Sequence, residues 1–350
     1  MISIALFNNK GGVGKTTLTY HLAHMFQRLG HRVLAVDLDP QANLTSAFLE
    51  EDELATLWAE PEGLSPHPVL FGRVGEENGT VATSVKPIME GLGDVRFFEP
   101  TRITQDLWLV PGDLELSAFE DKLSAAWPLC FTGDQAAIRT TTAFYRVIQN
   151  AASRVRADVV LIDVGPNLGA INRAALLAAD TVLMPLAADL FSLRGLRNLG
   201  PTLRTWRTTW QETVLPKVPS SIPAPPGSMI PLGYVIMQPT MRLDRPVKAY
   251  QRWLIRIPDV FAEAVLAQPQ TDSASYEIAT LRNYQSLMPL AHDARKPMFD
   301  LKAADGALGS TQTYVLKCRA EFQQLAENVL ARLAAVEAGA VRSQETGGLE

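Results

Sequence analysis

Six short runs of aliphatic and β-branched residues punctuate the chain: Ile2–Phe7, Arg32–Asp37, Leu107–Val110, Asp158–Asp163, Thr181–Pro185 and Leu232–Met237. They are continuously apolar in their middles rather than alternating, the pattern of strands covered on both faces. Between several of them apolar positions recur at helical spacing. Leu18, Leu22, Met25, Phe26 and Leu29 make one stripe, and Leu196, Leu199, Leu203, Trp206 and Trp210 make another. Strands alternating with amphipathic helices predict a doubly wound α/β fold, a mostly parallel sheet with helices on both faces. Because Trp206 and Trp210 share their stripe with leucines, core packing is expected of them before any base stacking.

Two segments interrupt this alternation. Glu50 to Asp106 is acidic, rich in Gly and Pro, and without clear periodicity. Pro216 to Pro231 carries six prolines in sixteen residues and reads as an extended surface loop. A last helical stretch runs from about Thr313 to Ala338 and leads into a polar tail expected to fray from Arg342. The expected organisation is one domain over residues 1–338, with insertions at about 50–106 and 212–231 and a polar tail at 339–350.

Composition narrows the class. With 47% hydrophobic and 20% charged residues the chain can bury a sizeable core. Cys130 and Cys318 form no CxxC pair, which argues against a disulfide framework or zinc knuckle and for a reducing compartment. The five histidines (His21, His24, His31, His67 and His292) show no metal spacing and no nucleophile–base pairing. No apolar run approaches the roughly 20 residues of a membrane span, and the N-terminus lacks a basic leader, so a cytoplasmic location is expected. The net charge of −5 is segregated: residues 41–121 hold sixteen acids against four bases, and residues 192–256 hold ten bases against two acids. Such segregation says more about partners than the net charge does, the other reading being solvated helix faces at both places.

The chemistry concentrates at residues 9–17, Asn-Lys-Gly-Gly-Val-Gly-Lys-Thr-Thr. This fits the end of the phosphate-binding pattern GxxxxGK[ST], with Asn9 where the first glycine would stand. A strand precedes it and a helix begins near Lys15, as the mechanism requires: the glycines let successive amides face phosphate oxygens, and the helix N-terminus adds its positive dipole end. Gly11, Gly12, Val13, Gly14, Lys15, Thr16 and Thr17 are the candidate nucleotide contacts. Lys15 is expected on the β- and γ-phosphates and the Thr16 hydroxyl on Mg²⁺.

With Lys10 at its start, the segment Lys-Gly-Gly-Val-Gly-Lys-Thr-Thr resembles the deviant Walker A motif of the ParA/MinD class of P-loop ATPases, ParA partition ATPases above all. Val36-Asp37-Leu38-Asp39-Pro40-Gln41-Ala42-Asn43-Leu44 resembles the second motif of that class, and Val159-Val160-Leu161-Ile162-Asp163 its Walker B strand. Leu107 to Gly112, Val182 to Leu186 and Asp189 to Leu196 are similar to further family segments, so the resemblance covers roughly residues 1–48, 106–210 and 231–335. It implies that Lys10 reaches across an ATP-dependent homodimer to the partner's phosphates. Lys10, Lys15 and Asp39 become the catalytic candidates, with Asp39 positioning the attacking water. Thr16, Asp37 and Asp163 become the metal-side candidates, with ATP and Mg²⁺ as cofactors. One departure is that Val164-Gly165-Pro166 carries a single proline where relatives often have two, which loosens that loop.

No NKxD motif follows the sixth strand, so the resemblance favours adenine over guanine, near Met237, Gln238 and Pro239. It also implies nonspecific DNA binding by the ATP-bound dimer, release on hydrolysis stimulated by a ParB-like or adaptor protein, and nucleoid association. Arg242, Arg245, Lys248, Arg252, Arg256, Arg282, Arg295 and Lys296 are the DNA-contact candidates. The alternatives are a MinD-like membrane-surface positioning ATPase, disfavoured by the acidic C-terminal residues Gln344 to Glu350, an ATP-driven ligase, and the ATPase module of a multi-component system, defence against foreign DNA included.

Overall fold

The computed structural model describes residues 1–58, 78–237, 247–268, 276–284 and 286–346, with backbone alone at 247–250 and 339–346. The first half runs β1 (Ile2–Leu6), α1 (Lys15–Arg28), β2 (Val33–Asp37), α2 (Asn43–Phe48), α3 (Glu51–Leu57), α4 (Val81–Glu90), β3 (Thr101–Thr104), β4 (Leu107–Val110), α5 (Phe119–Cys130), α6 (Gln135–Thr141) and α7 (Ala143–Val155). The second half runs β5 (Val159–Asp163), α8 (Ala170–Leu177), β6 (Thr181–Ala187), α9 (Leu190–Thr208), β7 (Ile230–Met237), α10 (Val247–Leu254), α11 (Ile257–Phe261), β8 (Glu277–Leu281), α12 (Met288–Asp293) and α13 (Ser310–Thr346).

These strands form an eight-stranded sheet in the order β3-β4-β2-β5-β1-β6-β7-β8. All neighbours are parallel except β3 with β4. The doubly wound parallel sheet is therefore present, and each of the six apolar runs is a strand within it. The strands β3 and β8, absent from the sequence reading, lie at the two edges. An edge strand lacks continuous cover: β3 alternates buried and exposed, and Glu277 of β8 faces solvent, so neither carries the apolar signal of a central strand.

Each face of the sheet carries its own core. On one, α4, α5, α7, α8 and α9 bury residues such as Val85, Phe119, Phe144, Leu176 and Leu196 against the strands. On the other, Leu18, Leu22, Met25 and Phe26 of α1 meet Val315, Phe322, Leu325 and Val329 of α13. Trp210 is fully buried, its Nε1 donating to the Pro225 carbonyl at 2.9 Å, as its place in the leucine stripe predicted.

The proline-rich segment is a surface loop without regular structure over residues 218–229, as expected, and it is held in place: Ile222 and Met229 are buried within it beside Trp210. The acidic segment is likewise built rather than aperiodic where it is described. The α3 helix opens with Glu51, Asp52 and Glu53 under a capping box, and α4 buries Val81, Val85 and Ile88. Asp94 accepts from Arg139 and Arg146 at 2.6 Å each. Part of the acidic excess thus serves helix starts and ion pairs. The last helix continues to Thr346, past the point where fraying was expected.

Register places the site. Leu6, Asp37 and Asp163 stand abreast at the carboxyl ends of β1, β2 and β5. Across β1, Ala187, Met237 and Leu281 end β6, β7 and β8 in the same way. The crevice beyond these ends is where open parallel sheets bind ligands.

Candidate nucleotide-binding site

The loop after β1 turns on Gly12 (φ 71°) and Gly14 (φ 84°), left-handed backbone that a side chain would strain. Gly14 caps α1 without any side-chain partner, which leaves the first amides of the helix open to an anion. The base of the loop is stapled by Asn8, which the sequence reading did not assign. Its Nδ2 donates to the Pro185 carbonyl at 2.8 Å, and its Oδ1 accepts from the Lys10 amide at 3.0 Å. Its place is the signal in the sequence, the first of three polar residues between an apolar strand and a glycine turn.

Lys15 is buried, its Nζ donating to the Asn8 carbonyl at 3.2 Å. Burial pushes its pKa down, and the charges of Asp163 and Asp39 work against that. The ammonium is therefore held dry and close to the glycine turn, where a phosphate gains most from it.

The three carboxylates predicted from sequence converge but differ in task. Asp37 is fully buried, its Oδ2 accepting from the Thr45 amide (2.8 Å) and hydroxyl (2.7 Å) and its Oδ1 from the Asp39 amide at 3.3 Å. Its carboxylate is thus engaged in tying β2 to α2 and shaping the turn at Asp39. Asp39 accepts the Gln41 amide at 3.0 Å and lines the cleft. Asp163 is fully buried, its Oδ2 without a hydrogen-bond partner among the described residues, and its Oδ1 accepts from Thr19 at 3.4 Å. Burial first, then the charge of Asp37, pushes the Asp163 pKa up, while Thr16 and Lys15 pull it down.

A buried, unpartnered carboxylate oxygen beside Thr16 fits a divalent cation. Among the described residues no group of three or more His, Cys, Asp or Glu could hold a metal alone. Mg²⁺ needs only one or two carboxylates and completes its shell with phosphate and water.

Two clefts meet at Gly12, Gly14, Thr17 and Met288. The first, about 490 Å³, holds Lys15, Thr16, Asp39 and Pro166. The second, about 460 Å³, is lined by Met237, Leu281, Asn283, Tyr284 and Phe322 among others. Met237 lies in the crevice, while Gln238 and Pro239 lie outside the described residues. Lys10 lines the second cleft and is ion-paired with Asp189, its ammonium 5.8 Å from the exposed Phe191 ring.

The basic candidates do not form one surface away from the nucleotide. Arg282 lines the second cleft and pairs with Glu321 at 3.0 Å. Arg295 and Lys296 line the first, paired with Glu50 and Asp305 at 2.8 Å each. The reason is the chain reversal after α12, which turns these two back onto the α2 side. Arg252 and Arg256 are exposed and flank Trp253, with guanidinium-to-ring distances of 4.4 and 5.8 Å. Arg242, Arg245 and the Lys248 side chain lie outside the described residues.

His21 also lines the first cleft. Its Nε2 accepts the Met298 amide at 3.1 Å, so Nδ1 carries the proton and donates to the Thr17 carbonyl at 2.7 Å. Burial lowers its pKa to about 4. The unfolded chain, near 6.5, therefore binds a proton that the folded chain refuses, and stability supplied by neutral His21 is lost as pH falls from 6.5 towards 4. The expected loss is about 3 kcal/mol. Denaturant titrations should show the advantage of the wild type over His21→Leu shrinking across that window. The raised carboxylates act oppositely, so the difference between the two chains is the quantity to read.

A family model described as an AAA domain (AAA_31) matches residues 1–215. The putative replication protein A of Rhizobium rhizogenes is 34% identical over 197 residues, 54% of this chain and 42% of that protein. The sporulation initiation inhibitor protein Soj of Bacillus subtilis is 29% identical over 201 residues, 57% of this chain and 64% of Soj. The matches thus span less than two thirds of either relative. Among solved structures, a protein from Corynebacterium diphtheriae superposes with a TM-score of 0.68 at 24% identity, covering 95% of this chain and 99% of that one. A putative plasmid partition protein of Borrelia burgdorferi B31, bound to AMPPNP, gives 0.55 at 17% identity, covering 95% and 98%. At these identities the structural likeness shows a shared fold.

Proposed function

The chain belongs to the AAA domain family matched by its residues 1–215, as a P-loop protein of the ParA/MinD class, and from that premise we propose that it is a Mg²⁺-dependent ATPase working as a dimerisation switch on DNA. The observation that carries the reading is the convergence of Lys15, Thr16, Asp39 and the unpartnered Asp163 carboxylate at the ends of three adjacent strands. ATP lays its phosphates along Gly11 to Thr17, with its base towards Met237. Thr16 and Asp163 would hold Mg²⁺, which supplies neutralisation of the phosphate charge. Asp39 orients the attacking water, and Lys15 stabilises charge on the transferring group. One ATPase domain over residues 1–338 carries this machinery.

Lys10 completes the site in trans. In the single chain its ammonium rests on Asp189 at the rim of the second cleft, and in the dimer it reaches the partner's phosphates. The closed dimer then binds DNA through the stretch containing Arg242, Arg245, Lys248, Arg252 and Arg256, where exposed arginines beside Trp253 suit phosphate and stacking contacts. Arg282, Arg295 and Lys296 are left to the nucleotide side. A ParB-like or adaptor protein stimulates hydrolysis and releases the dimer, placing DNA or other cargo within a cytoplasmic, nucleoid-associated cycle. The relatives named for replication and sporulation control support this setting.

The test is light scattering and DNA retention with ATP and with ADP, for the wild type and Lys10→Ala. The wild type should dimerise and hold DNA with ATP alone. Lys10→Ala should bind ATP within about threefold of wild type yet stay monomeric, with turnover reduced by ~10³-fold, the loss of a cation supplied in trans. Retention of DNA regardless of nucleotide would count against the switch.

A further inference from the structure

The segment from Val164 to Gly169 joins the end of β5, at Asp163, to the start of α8, and its one proline, Pro166, leaves it short of intrinsic stiffness. Stiffness comes instead from Asn172, 1% exposed on the first turn of α8. Its Nδ2 donates to the Gly165 carbonyl (3.0 Å), the Asn167 carbonyl (2.8 Å) and the Asn167 Oδ1 (2.9 Å). From the other side Glu120 of α5 accepts the Ala170 and Ile171 amides at 2.6 and 2.9 Å, anchoring the helix that bears Asn172. The loop is thus closed into a ring whose near edge is Gly165.

Gly165 is where the ring meets the reacting groups. A Cβ built on it would lie 3.5 Å from both Asp39 Oδ1 and Asn172 Nδ2, so the amide and the carboxylate flank one glycine. The next residue, Pro166, lines the first cleft with Asp39. The Asn172 Oδ1 meanwhile is buried without a hydrogen-bond partner among the described residues.

We propose that Asn172 is a positioning residue for hydrolysis: by pinning the carbonyls of Gly165 and Asn167 it fixes the wall that faces Asp39 and so the geometry in which Asp39 presents water. This rests on the ATPase reading above. It acts through backbone rather than by touching nucleotide, so its loss falls on the chemical step and spares binding. A misplacement of about 1 Å at such a site costs on the order of a hundredfold in rate.

The experiment compares single-turnover hydrolysis, ATP affinity and melting temperature of the full chain with Asn172→Ala and Asn172→Asp. For Asn172→Ala the expected rate is about a hundredfold below wild type, with ATP affinity within about threefold. Asn172→Asp is equally slow at neutral pH, because its carboxylate faces two carbonyls. It recovers relative to wild type as pH falls, because the protonated carboxyl donates again. An alanine variant with unchanged rate overturns the proposal. So does one in which affinity, rate and melting temperature fall together while the aspartate variant shows no recovery. A wild type without Mg²⁺-dependent hydrolysis would instead overturn the ATPase reading, visible in that arm alone.

Discussion

Asp163→Asn is expected to raise the stability of the nucleotide-free chain while lowering Mg²⁺-dependent ATP hydrolysis by about a hundredfold or more, near 2.7 kcal/mol of transition-state stabilisation. Both effects have one cause. The Asp163 carboxylate is fully buried with Oδ2 unpartnered, and burial together with the Asp37 charge pushes its pKa up. The folded chain therefore keeps a proton that the unfolded chain releases, and wild-type stability declines as pH rises from the ordinary carboxylate range through the folded value. Asparagine has the same shape and never ionises, so melts in EDTA should show a gap that widens with pH. Adding Mg²⁺ and ATP should stabilise the wild type alone. A variant less stable at every pH, with hydrolysis intact, would remove Asp163 from the metal site.

The second large effect is expected at Lys15, where Lys15→Ala should weaken ATP binding about a hundredfold or more, about 2.7 kcal/mol. The ammonium is buried and already bonded to the Asn8 carbonyl, so little desolvation remains when a phosphate arrives. Its removal also strips Asp163 and Asp39 of their nearby cation. The nucleotide-free variant should thus lose stability as pH rises, opposite in sign to Asp163→Asn. Calorimetric titration with a slowly hydrolysed ATP analogue, beside melts at several pH values, checks both parts. Unchanged affinity would move the phosphate site away from the glycine turn.

Much of the site was legible because its signals are local. The glycine turn and its two lysines occupy nine consecutive residues, and the strand before and helix after it are marked by their own periodicity. Asp37 and Asp163 could be picked out because each ends an apolar run, the one place where a buried strand admits a charge at a crevice. The tryptophan stripe likewise declared itself as core through its leucines.

Other features left no local trace. The edge strands β3 and β8 are short and half-covered, so tertiary pairing alone makes them strands. The eight cationic candidates looked like one set because they are all Arg or Lys in the second half of the chain. Ion pairs with Glu321, Glu50 and Asp305, up to 245 residues away in sequence, divide them. Asn8, Thr45, Glu120 and Asn172 are ordinary polar residues in sequence and acquire roles only through partners brought by folding.

By itself, then, the order of residues determined the alternation of strands and helices, the glycine turn and the identity of the acids at the strand ends. These follow from backbone conformation and burial within a few neighbouring residues. Only the folded sheet decided that Asp37 serves Thr45 while Asp163 keeps a free oxygen, that Lys10 rests on Asp189, and that Asn172 closes the loop beside Asp39. A carboxylate, an ammonium or an amide takes its task from the charge and donors within a few ångströms of it. In a doubly wound fold those come from segments far apart along the chain.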